Sequence, residues 1–256
     1  MKVDFFLQAS YNNSKFQEEI IMRLAKYGTS VICGLLLCTS ALTAQEQEKK
    51  EETNVESEYM QSVEDQVISE LANNDNRDDK IVALQYLKDA ADEGRITPDM
   101  MNTLDHLAGE GLTNQSRTGG RVTNNYPDIR KQACDILANV KTEESKNILK
   151  TIALNDNEPM VLTAAIRALG EIGINEGDEV ISAINWAQKR NMALNPTSSM
   201  ALEVLNAYEK LADSVENKQP MLEQIARIAG NNRYVKSVRK RAKELLKKFQ
   251  EESAGK

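Results

Sequence analysis

Apolar residues recur at every third or fourth position from Tyr59 to Phe249, and this spacing predicts a succession of amphipathic α-helices. No segment rich in Val, Ile or Tyr alternates with polar residues over the length of a strand. The fold class is therefore predicted to be all-α. The predicted helices cover residues 59–73, 78–92, 97–109, 127–140, 142–154, 158–172, 176–190, 196–213, 218–229 and 233–250.

These helices repeat as pairs with a recognisable core pattern. A small residue in the first helix of a pair lets two helices approach to about 8–10 Å. The matching small residues are Ala83, Ala133, Ala165, Val204 and Ala242, and the larger residues four positions later are Leu87, Leu137, Leu169, Tyr208 and Leu246. A helix pair that recurs along the chain predicts an α-solenoid, here of four to five pairs over residues 59–250.

The clearest copy of the repeat runs from Pro159 to Gly170, after an acidic helix start and before a glycine stop at Gly173. This segment resembles the HEAT repeat, particularly the short bacterial type that is similar to phycobilisome-lyase repeats. Residues 128–137 and 235–246 look like diverged copies. The resemblance implies a right-handed superhelical stack that serves as a scaffold.

The N-terminal 44 residues have the pattern of an export signal. Arg23 and Lys26 precede a short apolar run at 31–38, and small residues follow up to Ala44. We expect cleavage after Ala44 and export to the periplasm, with secretion as an alternative. Residues 1–21 are either an extension of the gene model before a start at Met22, which we favour, or an extended leader.

A second interpretation of the N-terminus is an anchor in the cell envelope. Cys38 could accept a lipid, although Leu37 stands where lipoprotein signals have a small residue, or the signal could be retained. Membrane association would then occur through the N-terminus. Residues 45–58 are acidic with almost no apolar side chains and are predicted to be a disordered tether, and residues 251–256 a disordered tail.

Charge disfavours nucleic acid as a partner, since the chain has a net charge of −7 and phosphate binding needs a basic face. The last helix is the exception: eight basic residues and one acidic residue lie between Arg233 and Lys248. One interpretation is a soluble outer face at the end of the stack. The other is a docking patch centred on Arg239, Lys240 and Lys243, for an acidic protein, anionic lipid head groups or the chain's own tether.

Two further places are candidates for binding a partner. Trp186 lies about 200° around its helix from the core residue Ile184, so it either anchors a partner on the concave face or packs on a neighbouring repeat. The polar loop 112–126 carries Arg117 and Arg121 on either side of two glycines, and disorder is the stronger interpretation of it.

Residues for catalysis, cofactors or metals are not recognisable. His106 is the single histidine, and we expect it to be packed or partly exposed. Cys134 is expected to be a buried core thiol. The sequence therefore predicts a non-catalytic scaffold that binds a protein partner, with no cofactor or metal, and leaves the oligomeric state open. The alternative is an envelope-anchored structural component.

Overall fold

The computed structural model describes residues 55–254, with side chains up to residue 252. The chain divides into two compact units, residues 1–62 and 63–256. Of the first unit the described part is 55–62, which begins a helix, so the helix starts four residues earlier than predicted. The predicted signal region with Cys38, and the tether up to residue 54, lie outside the described residues.

Helices make up nearly all of the described chain. They are α1 (55–73), α2 (Arg77–Asp92), α3 (Pro98–Ala108), α4 (Pro127–Leu137), α5 (Glu143–Asn155), α6 (Pro159–Ile172), α7 (Glu179–Leu194), α8 (Ser198–Leu211), α9 (Gln219–Gly230) and α10 (Lys236–Ala254). A 3₁₀ turn at Glu176–Asp178 precedes α7, and two short strands, β1 (Arg117–Thr118) and β2 (Arg121–Val122), lie between α3 and α4.

The helices of residues 63–256 form two layers. Helices α2, α4, α6, α8 and α10 contact one another in that order, and we call them the first-helix layer. Helices α3, α5, α7 and α9 form the second-helix layer in the same way, and each helix also contacts its pair mate across the layers. The predicted all-α solenoid of helix pairs is thus confirmed.

The core lies between the two layers, where the repeat pattern placed it. The five small residues aligned in the first helices are all fully buried, and so is Tyr208, which stands where other repeats have leucine. The exception is α10, in which Leu245 is buried and Leu246 is only partly buried. The small residue and its larger partner therefore set the packing of four of the five first helices.

The helix ends follow the local chemistry of the sequence. The Thr97 hydroxyl accepts a hydrogen bond from the Met100 N–H and so caps the start of α3. Gly173 ends α6 in the left-handed conformation with φ 77°, which glycine adopts without strain. Helix α10 continues to Ala254, so residues 251–254 of the predicted disordered tail are helical.

Candidate functional site

The outer surface of α7 carries the most exposed large aromatic side chain of the second-helix layer. Trp186 is 47 % exposed, whereas Ile184 and Ala187 beside it are fully buried. Helix α7 lies between α5 and α9 in its layer. The prediction that Trp186 lies off the core stripe is confirmed.

Arg190 fixes the position of the indole. Its guanidinium carbon lies 4.3 Å from the centroid of the Trp186 ring, within the range of a cation–π contact. The same guanidinium donates to the carbonyl oxygens of Leu154, at 2.9 Å, and Asp156, at the end of α5. Burial lowers the pKa of Arg190, and the nearby Asp156 carboxylate acts in the opposite direction. Trp186 is therefore held by one contact within α7 and, through Arg190, by the preceding repeat.

Four residues share the outward side of α7, and we call them the α7 face: Ser182, Trp186, Lys189 and Ala193. All four are exposed, and the residues around the indole are small or carry a flexible chain. Helix α5, which contacts α7 in this layer, has exposed polar residues that include Asn147 and Thr151. On the α7 face one large ring thus stands above small and polar neighbours, which suits contact with an apolar group of a partner.

The polar loop between α3 and α4 is folded, contrary to the interpretation that it is disordered. Strands β1 and β2 pair antiparallel around Gly119 and Gly120, which both have positive φ angles, as a tight hairpin turn requires. The pairing sets Arg117 opposite Val122 and Thr118 opposite Arg121. Because directly opposite residues share one face of a hairpin, Arg117 and Arg121 lie on opposite faces and form no common site.

Buried charges hold the base of this hairpin. The Glu110 carboxylate, with a side chain 2 % exposed, pairs with Lys80 of α2 at 3.2 Å and accepts from the Asn124 amide at 2.8 Å. Arg130 of α4 donates to the Glu110 carbonyl oxygen and to the Asn125 side chain, both at 2.9 Å. The loop is ordered because its polar groups replace water with partners on α2 and α4.

The predicted basic patch lies on α10. Arg239 donates to the Asn232 side chain at 3.0 Å, and Lys240 lies 3.6 Å from Glu244, while Lys243 is exposed. Helices α7 and α10 and the hairpin share no direct packing contact among the described residues. The structure therefore separates the three groups of candidate residues into three surfaces.

Sequence reasoning missed the buried charges that join the repeats. Arg130 pairs with Asp156 at 2.7 Å, and Asp156 also supplies the carbonyl that Arg190 binds. The spacing of four residues between Trp186 and Arg190 was a usable signal, since it places both on one side of a helix. The pairing of Arg130 with Asp156 and of Arg190 with Leu154 had no signal, because these partners lie 26 and 36 residues away along the chain.

The other candidate chemistry is buried or weakly partnered. Cys134 is fully buried, as predicted, and burial raises the pKa of its thiol. The His106 imidazole is about one-third exposed and lies 3.6 Å from the Glu110 carboxylate. Among residues 55–252, no three His, Cys, Asp or Glu side chains are arranged to hold a metal ion. No described helix has the length and apolar character needed to cross a membrane.

Comparison with known proteins agrees with the two-layer architecture. A family model described as HEAT repeats matches residues 121–184, from β2 through α4, α5 and α6 into α7. No curated protein and no solved structure matches the chain. HEAT repeats generally mediate protein–protein interaction, and scaffolds of this family are typically non-catalytic. Residues 121–184 are thus similar to HEAT repeats, and the helices before and after them continue the same solenoid of helix pairs.

Proposed function

We propose that this protein is a non-catalytic scaffold that binds a protein partner through the α7 face. The observation that carries the proposal is the exposed indole of Trp186, 47 % exposed and fixed by Arg190. Tryptophan is among the residues most enriched in the energetic centres of protein interfaces. A HEAT repeat that leaves such a ring uncovered on its second helix offers a ready anchor.

The fixed position of the ring strengthens the anchor. Binding costs about 0.5–1.5 kcal/mol for each flexible side chain that becomes ordered at an interface. Arg190 already restricts Trp186 in the free protein, through its hydrogen bonds to α5. A partner that packs an apolar group on the indole therefore loses little free energy in ordering it.

The place of action that we propose is the periplasm or cell envelope of a bacterium. This rests on the sequence pattern of residues 23–44, a basic start, an apolar centre and small residues at the end. Fractionation of cells, combined with the mass of the mature N-terminus, tests it. A mature chain that begins at Gln45 supports export with cleavage, whereas a lipid on Cys38 or an intact signal supports the anchored alternative.

A site-specific crosslinking experiment tests the α7 face. A photo-reactive residue replaces Lys189, which is exposed beside Trp186, or Lys210, which is exposed on α8 in the other layer. We expect a discrete adduct from position 189 in the cells that make the protein. Trp186→Ala should weaken this adduct about tenfold or more, as is usual for an interface anchor. Equal adducts from positions 189 and 210 would count against the α7 face.

The stability of Trp186→Ala separates an anchor from a core residue. Because the ring is half exposed, we expect the free energy of unfolding to fall by only about 1–2 kcal/mol. The buried control Ile184→Ala should lose about 2–5 kcal/mol. Denaturant titration measures both variants. A loss for Trp186→Ala as large as that of the control would assign the indole to the core.

A further inference from the structure

Four lysines form a straight row along the outer side of α10. Lys236, Lys240, Lys243 and Lys247 are spaced by four, three and four residues, which places them within a narrow sector of the helix, and all four are exposed. We call this row the lysine stripe. It spans about 16 Å along the helix axis. The opposite side of α10 packs into the core with Val238, Ala242, Leu245 and Phe249.

Neighbouring carboxylates leave the stripe largely uncompensated. Glu209 of α8 engages Arg241 and Lys248, which lie on the flank of α10 and outside the stripe. Within the stripe, Lys240 pairs with Glu244 and Lys247 with Glu251, each at 3.6 Å and well exposed. Exposed pairs of this kind contribute little and are screened by salt. The outer side of α10 therefore keeps a strong positive charge on a chain of net charge −7.

The composition of the stripe distinguishes between anionic partners. Protein interfaces are depleted in lysine and centre on tryptophan, tyrosine or arginine, and none of these lies in the stripe. Non-specific nucleic-acid sites combine basic groups with aromatic side chains for base stacking, and the stripe has no aromatic residue. A surface that serves solubility alone mixes charges of both signs. A row of flexible ammonium groups instead matches a flat surface of phosphate head groups.

We propose that the lysine stripe docks this protein on an anionic phospholipid surface. Each ammonium can reach a different phosphate, since the row is straight and nothing apolar must insert into the bilayer. The electrostatic attraction acts within about 10 Å at ordinary ionic strength, so α10 must lie close to the head groups. The α7 face is on a different helix. The inference goes beyond partner binding at the α7 face and does not depend on it.

Co-sedimentation with vesicles tests this docking. The full 256-residue chain is mixed with vesicles of phosphatidylcholine, or of phosphatidylcholine and phosphatidylglycerol in equal parts. The stripe variant carries three substitutions, Lys240→Gln, Lys243→Gln and Lys247→Gln. The control variant has the same change in charge on exposed lysines elsewhere in the chain, Lys88→Gln, Lys141→Gln and Lys210→Gln. The measured quantity is the ratio of binding to anionic and neutral vesicles, because the apolar run at 31–38 would bind both alike.

We expect the stripe variant to lower this ratio by on the order of a hundredfold, since each lysine near an anionic surface contributes about fivefold in binding. The control variant should stay close to the unmodified protein, and high salt should abolish the preference for anionic vesicles. A ratio of one for the unmodified chain overturns the proposal, and so does an equal loss in the two variants. If the chain is retained on polyglutamate or RNA but does not bind anionic vesicles, the lipid proposal is wrong and the stripe binds that polyanion instead.

Discussion

Single buried polar residues join the repeats at the residue scale. The Tyr208 hydroxyl of α8 donates to the Asn185 side chain of α7, and the Gln188 amide donates to the Tyr234 hydroxyl at 3.0 Å. Burial raises the pKa of Tyr208, so its hydroxyl remains a donor at all ordinary pH values. Each of these hydrogen bonds satisfies a buried polar group that no longer contacts water. Losing the bond therefore costs more free energy than the bond contributes net to folding.

Removing the Tyr208 hydroxyl tests this dependence. Tyr208→Phe leaves the side-chain oxygen of Asn185 buried without its donor, so we expect the free energy of unfolding to fall by about 1–3 kcal/mol. Tyr86→Phe is the matched control, because Tyr86 is 46 % exposed and should change stability little. Urea titrations of both variants supply the comparison. Equal stabilities would show that the Asn185 carbonyl finds another partner.

A glycine inside α6 tests how closely the first helices approach. A Cβ atom at Gly170 would lie 2.8 Å from the Cα of Ala207 on α8, closer than atoms can pack. Gly170→Ala must push α6 and α8 apart, and a loss of about 1–3 kcal/mol in unfolding free energy is expected. Gly230→Ala, at the end of α9, meets no atom within 4 Å and should be neutral or slightly stabilising. Thermal unfolding of the pair gives the answer.

Whole elements show which part of the fold was predictable. Every predicted helix is present within a few residues, because a period of three to four apolar positions depends only on neighbours along the chain. The hairpin of β1 and β2 was not predicted. Gly119 and Gly120 permit its turn, but contacts of Glu110 with the distant Lys80 and Arg130 hold its base. The position of Trp186 on its helix was predictable, whereas the hydrogen bonds of its neighbour Arg190 to the end of α5 were not.

The base of the hairpin makes an element-scale prediction. Glu110→Gln leaves the Lys80 ammonium buried without its counter-charge, and we expect a loss of about 3–5 kcal/mol in unfolding free energy. Glu244→Gln removes the exposed partner of Lys240 and should cost less than about 1 kcal/mol. Denaturant titration compares the two, and faster hydrogen exchange in residues 112–126 of the first variant would locate the damage. The Lys80 ammonium also donates to the Ala72 carbonyl oxygen at 2.7 Å, and a small loss in both variants would mean that this bond alone stabilises Lys80.

At the scale of the whole molecule, carboxylates tie successive repeats together. Hydrogen bonds from Lys146 and Lys150 of α5 lower the pKa of Glu179 at the start of α7. The pKa of Asp178 is lowered overall. Burial acts to raise it, but hydrogen bonds from the backbone N–H groups of Asn217 and Glu216 and from the Asn175 side chain have the larger combined effect. These ties cross the joint between helix pairs, so protonation of either carboxylate weakens the stack.

The sign of the pH dependence follows from the lowered pKa values. The unfolded chain binds protons at the ordinary values of 4.5 and 3.8, whereas the folded chain binds them only at lower pH. Stability should therefore be fully present above these values and fall as the pH decreases below them. Melting temperatures across this range measure the fall. Glu179→Gln should make the decline shallower, and the exposed control Glu144→Gln should not; a decline unchanged by Glu179→Gln would exclude its role.

The contact between α5 and Arg190 also determines what the intrinsic fluorescence of this protein measures. Trp186 is the single tryptophan of the chain, and its ring lies against the Arg190 guanidinium, which donates to carbonyl oxygens at the end of α5, the preceding helix of the second-helix layer. If α5 and α7 separate, Arg190 loses its hydrogen bonds to the end of α5 and is no longer held beside the indole, so the emission spectrum of Trp186 and its quenching should change. Intrinsic fluorescence thus follows one joint of the stack rather than the average of the chain. Comparison with circular dichroism then shows whether the repeats part before the helices melt.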